Sequence, residues 1–174
     1  MGAQLAFDIL MQYGVQAKTE VESNIAGPAL EAVVEANILL SGLGYENGGL
    51  AAAHAIALCY TRIYHLFEKH PSHGQLVAFS TLTQLMMEER SQEFLDKIYG
   101  FCKSVGLPIT FEQLGASNIT DDGLKMVAED ASKSVLIVSM PKASNAPDEE
   151  GKFYDPNEIL NCLKAADAYG RAFK

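Results

Sequence analysis

Basic residues are in short supply in this chain: 13 Lys and Arg face 22 Asp and Glu, for a formal net charge of −9 at pH 7. No basic patch offsets that excess, which argues against nucleic acid and against an anionic membrane surface, since both select clustered Lys and Arg. There is no apolar run of the roughly 20 residues that span a bilayer, and no signal-peptide pattern. Cysteine is sparse and odd in number. Cys59, Cys102 and Cys162 each fall in an expected helix, so they read as reduced core thiols of a cytoplasmic protein and not as a disulfide framework. Repeats and low-complexity segments are missing. So is any strand leading into GxGxxG or a related phosphate turn, together with the strand and helix alternation of a dinucleotide-binding domain.

What is present is helix. The 174 residues, 48% of them hydrophobic, suffice for one domain with a sizeable core. Residues 3–13 place Leu5, Ile9 and Tyr13 on one stripe at amphipathic spacing, with Gly14 as the expected stop. Gly27-Pro28 opens the next helix with proline at its first position, and Leu30, Val33, Val34, Ile38 and Leu40 give a broad apolar face up to Gly42. Ser91 caps a helix over 92–105 that Gly106-Leu107-Pro108 breaks. Thr110 with Gln113 reads as a short capping box, and Thr120 with Asp121 and Asp122 starts a helix to about Ala131. Residues 134–140 are β-branched and read as an extended piece without a partner strand, or as a helix end. Lys142 to Phe153 is polar and punctuated by Pro and Gly, a loop. Asp155-Pro156-Asn157-Glu158 then starts a last helix with Ile159, Leu160, Leu163 and Ala166 inward. The expectation is a single all-α domain over residues 1–174, of about seven helices.

The stretch from Ser41 to Ser80 concentrates glycine, histidine and small apolar residues. Gly42, Gly44, Gly48 and Gly49 predict a turn that opens a helix from Leu50 to Ala57. That helix carries one polar ring, His54, facing a packed interior. Pro71-Ser72 stops one helix and His73-Gly74 begins another, Gln75 to Glu89. Two helices thus present one imidazole each to a common space. A neutral imidazole is a good ligand for zinc or iron, and a ring in the first helical turn is kept neutral by the positive end of the macrodipole. Two histidines at this spacing are nevertheless not a motif such as HExxH. On spacing alone both readings stand: a ligand pair, or a hydrogen-bonded core histidine and a helix-start residue. His65 and His70, before Pro71, read as surface or helix-end residues.

SGLGYENGGLAAAHAI, HGQLVAFSTLTQL and the terminal AADAYGRAFK resemble the C-terminal helical half of the glycerol dehydrogenase family, within the iron-containing alcohol dehydrogenases. The resemblance runs over essentially the whole chain. It implies a fold like the C-terminal domain of the dehydroquinate synthase-like and iron-containing alcohol dehydrogenases. It also implies an N-terminal α/β domain that binds NAD and a helical domain that holds a catalytic divalent metal, zinc or iron, through one aspartate and two histidines. The two histidines fall on His54 and His73. Tyr45 takes the family's aromatic position beside the substrate cleft, or serves only as a turn aromatic. The implied reaction oxidises a secondary alcohol of glycerol or a similar small polyol to the ketone, dihydroxyacetone, with hydride transfer to NAD.

Two parts of that machinery have no counterpart here. The aspartate of the family belongs to a Gly-Asp-x-Leu-Ala type motif, and Met1 to Leu5 match it only superficially, with Ala3 and Gln4 where the acidic residue would stand. The NAD-binding domain is missing as well. The expectation is therefore a metal-binding portion with little or no activity alone, associating with an N-terminal NAD-binding half or as a homo-oligomer. A non-catalytic helical remnant and a separate metal-binding protein are the alternatives. Smaller departures from the family pattern are one extra residue between His54 and His73, Ser80 where glycine is common, and a longer loop over 143–153.

Overall fold

Apolar residues at helical spacing, interrupted by Gly, Pro and capping residues, become helices in the computed structural model, which describes residues 2–173. In chain order they are α1 (Gly2–Glu22), α2 (Pro28–Glu35), a π-turn (Ala36–Leu40), α3 (Ser41–Gly48), α4 (Ala52–Cys59), a 3-10 stretch (Tyr60–Leu66), α5 (His73–Met87), α6 (Gln92–Val105), α7 (Asp121–Ser132), a 3-10 turn (Val135–Ser139) and α8 (Pro156–Ala172). No strand occurs among the described residues. Because α2, the π-turn and α3 run on as one rod, the helices among the described residues number about seven, as the sequence predicts. The chain divides into two compact units after Gly49.

The first unit is a helical hairpin. Its α1 does not stop at Gly14: an internal glycine costs a helix only about 1 kcal/mol, and the chain leaves the helix at Ser23 and Asn24, the latter at φ 55°. Gly27 provides no side chain to cap α2. The carboxylate of Glu20 does so from α1, accepting the Leu30 N–H at 2.7 Å, and a Cβ on Gly27 would overlap that carboxylate. The turn expected at Gly42 and Gly44 is helix instead. A π-turn absorbs one extra residue, and the rod continues until Gly49, at φ 69°, ends it.

The second unit carries the larger core. From α5 it buries Leu76, Phe79, Leu82, Leu85 and Met87, each side chain worth roughly 1.5–3 kcal/mol when fully withdrawn from water. Ala52, Ala53, Ala55 and Ala57 are buried in α4, and their small side chains let its backbone come close to α5. Ile159, Leu163, Ala166 and Gly170 form the buried face of α8, and the Tyr99 hydroxyl donates to the Ala166 carbonyl at 2.9 Å. Four helices close their own starts: Ser72, Ser91, Thr120 and Asp155 each accept a backbone N–H from the first turn of α5, α6, α7 and α8.

Two local expectations are corrected. Residues 135–139 form a 3-10 turn capped by Ser134, with Ile137 buried and Val135 exposed, since β-branched residues without a neighbouring strand have no ladder to join. Thr110 Oγ1 accepts the Gln113 N–H as expected, but the Gln113 amide oxygen accepts the Ile109 N–H in place of that of Thr110, and the pair closes a turn and not a helix.

Candidate metal centre

The candidate site is built from the start of α4 and the start of α5, both in the second unit. Around His54, residues 52, 53, 55, 56 and 57 are buried while His54 itself stays half-buried. The ring therefore lies at the edge of the core, not inside it as the sequence suggests. His73 is the first residue of α5, held there by a complete capping box. Ser72 Oγ accepts the Gln75 N–H at 3.3 Å, and Gln75 Oε1 accepts the Ser72 N–H at 2.9 Å. The His73 ring is exposed.

These two starts bring the imidazoles together, with ring centroids 5.7 Å apart and planes inclined by 53°. Metal–nitrogen bonds of about 2.0–2.1 Å put an ion roughly 3.2 Å from an imidazole centroid, so rings sharing one tetrahedral ion have centroids about 5.2 Å apart. The observed spacing fits with a side-chain adjustment of about half an ångström. Burial, and after it the neighbouring charge of His73, hold the His54 imidazole below its ordinary pKa. That favours the neutral ring, whose lone pair can bind a cation.

Two donors do not complete a site. Among the described residues there is no group of three or more His, Cys, Asp or Glu side chains that could hold a metal ion. His65 and His70 are exposed, and the His70 ring rests against Tyr64 with centroids 5.2 Å apart.

No family model matches the chain. It is 40% identical to glycerol dehydrogenase of Thermotoga maritima over 99% of its own length and 44% of that protein's. With glycerol dehydrogenase of Escherichia coli it shares 37% identity over 98% of its length and 44% of the relative's. Among solved structures, glycerol dehydrogenase from Schizosaccharomyces pombe superposes with a TM-score of 0.87 at 36% identity, covering 99% of this chain and 41% of that one. Over nearly its whole length the chain is thus similar to part of the glycerol dehydrogenases. It spans less than half the length of these relatives, and its helices correspond to the C-terminal domain of the glycerol dehydrogenase structures.

Of the residues that the glycerol dehydrogenase resemblance singles out, His54 and His73 meet. Tyr45 belongs to α3 in the first unit, with its ring exposed. Gly48 and Gly49 end α3 and do not open α4. One residue of the site escapes the sequence reading. Gln84, from the last turns of α5, accepts the Ala53 N–H at 2.9 Å, next to His54. The only hint in the sequence is a lone amide in the otherwise apolar and hydroxylated run 79–87.

Proposed function

We propose that this chain is the metal-binding portion of an NAD-dependent glycerol or polyol dehydrogenase, in which His54 and His73 hold a catalytic divalent ion, zinc or iron. The observation that carries the reading is the 5.7 Å approach of the two rings on a chain homologous to glycerol dehydrogenases along its whole length. When bound, the ion supplies Lewis acidity that lets a secondary alcohol of glycerol lose its proton, while NAD accepts the hydride and leaves dihydroxyacetone. His54 contributes a ring kept neutral by burial, and His73 one fixed by its capping box. The third ligand and the NAD site belong, in this reading, to an N-terminal α/β portion outside these residues. Tyr45 lines the substrate cleft, and the working protein is a cytoplasmic homo-oligomer or a complex with that N-terminal half.

The chain alone should show little or no dehydrogenase activity. Without a nicotinamide held against the carbinol carbon, positioning worth roughly 7–11 kcal/mol of barrier is lost. The test is zinc titration of the purified chain, of His54→Ala and of His73→Ala, with NAD reduction by glycerol followed for the chain alone and mixed with the N-terminal portion of a glycerol dehydrogenase. Weak zinc binding abolished by either substitution, and activity only in the mixture, is the expected result. Zinc binding that ignores both substitutions, or turnover by the chain alone, overturns the reading.

A further inference from the structure

We infer that Gln84 is a positioning residue for the metal site: by capping α4 from a neighbouring helix it sets the direction in which His54 points toward His73. The inference rests on the metal-site reading above and adds a residue to it. A helix start leaves its first N–H groups without intrahelical partners. In α4 the N-cap residue is Ala51, which makes no side-chain cap bond, and residues 48–51 are Gly, Gly, Leu and Ala, none with a side chain able to accept. His54 and Ala55 direct their N–H groups to the Ala51 carbonyl at 3.1 and 3.2 Å. The Ala53 N–H goes instead to Gln84 Oε1, 31 residues away in sequence.

The amide is itself held. Its Nε2 donates to Glu88 Oε1 at 2.8 Å, and Glu88 Oε2 accepts from Arg90 Nε at 2.7 Å, so the oxygen face of Gln84 is turned toward α4. The same α5 that begins with His73 thus pins the first turn of α4, one residue before His54, and a single rod fixes both ligands. Glu20 caps α2 from α1 in the same way. The helices that open with Ser, Thr or Asp need no such help. Outer partners that orient a ligating ring typically change metal affinity by about 10–100-fold when removed.

The test uses the full chain and Co²⁺, whose visible absorption reports both affinity and ligand geometry. Gln84→Met keeps the length and removes the acceptor, whereas the double exchange Gln84→Glu with Glu88→Gln keeps an oxygen in the same place and preserves an amide-to-carboxylate hydrogen bond between the two side chains. Gln84→Met should weaken Co²⁺ binding about tenfold or more and alter the band shape. The double exchange should stay within about threefold of the parent with an unchanged spectrum. Equal affinities for all three proteins, or equal losses in both variants, overturn the inference. Hydrogen exchange on the unsubstituted chain is a second readout, independent of whether either variant folds: the Ala53 amide should be protected, and an unprotected Ala53 amide overturns the inference. Co²⁺ binding by the parent that survives His54→Ala would instead sink the metal-site reading itself.

Discussion

Gly170 in α8 lies directly against the backbone of Ile109: a Cβ built on it would stand 2.8 Å from the Ile109 carbonyl carbon and closer still to its oxygen, with Thr110 Cγ2 at 3.1 Å. Backbone cannot yield as the tip of a flexible side chain can. Gly170→Ala should therefore destabilise the chain by about 3 kcal/mol, the upper range for overpacking, seen as a lower urea midpoint. Gly44→Ala is the control. A Cβ there meets nothing within 4 Å in α3, so this change should be neutral or stabilising by up to about 1 kcal/mol.

Close to that contact, the Tyr99 hydroxyl reaches the Ala166 carbonyl from a fully buried ring. Tyr99→Phe removes one buried neutral hydrogen bond while the packing remains. The expected loss is about 1 kcal/mol, again from denaturant unfolding, with far-UV circular dichroism unchanged. A loss well beyond that size would mean that the hydroxyl has partners other than Ala166.

Much of this architecture can be read from the chain before any coordinates, and the reason lies in which interactions are local. Ser91, Thr120 and Asp155 cap from within their own first turn, and the apolar stripes of α6 and α8 recur at helical spacing, so both signals sit inside a few residues. The meeting of His54 with His73 was legible only as two helix starts and, more specifically, through the resemblance of SGLGYENGGLAAAHAI and HGQLVAFSTLTQL to a family. What the sequence concealed is long-range. Gly14 and Gly42 look like stops because glycine weakens helices, yet the tertiary setting carries both helices past them. Glu20 and Gln84 cap helices that they do not belong to, and no local pattern marks a cap supplied from 10 or 31 residues away.

The three thiols give a chemical check on the packing. Burial raises the pKa of Cys59, Cys102 and Cys162 to about 11 each, with the Asp130 charge adding to the effect at Cys59 and Glu158 at Cys162. At pH 8 only about one thiol in a thousand is then ionised, and the thiolate is the reactive form. All three should react with a disulfide reagent far more slowly than a free cysteine in the native chain, and at ordinary rates in guanidinium. Fast labelling of Cys102, the buried one of the three, would contradict the α6 packing.

Glu89 and Lys142 both adopt left-handed backbone, at φ 53° and 68°. They are joined by an ion pair of 2.7 Å, and the same ammonium meets Glu158 at 2.7 Å. Three segments, the turn that follows α5, the loop three residues beyond the 3-10 turn, and the start of α8, are thereby tied at one nitrogen. The hydrogen bond from Lys142, and then its charge, lower the Glu89 pKa from 4.5. A carboxylate with a depressed folded-state pKa contributes stability that is present above its unfolded value and lost as pH falls through the folded one. The clasp should thus hold at neutral pH and open only below the ordinary glutamate range. Carboxyl NMR should find the Glu89 midpoint below 4.5 in the parent chain and restored upward in Lys142→Met. Both groups are solvent-facing, so salt should raise the Glu89 midpoint as it screens the pair, and a midpoint indifferent to salt and to Lys142→Met would show that the two side chains do not meet in solution.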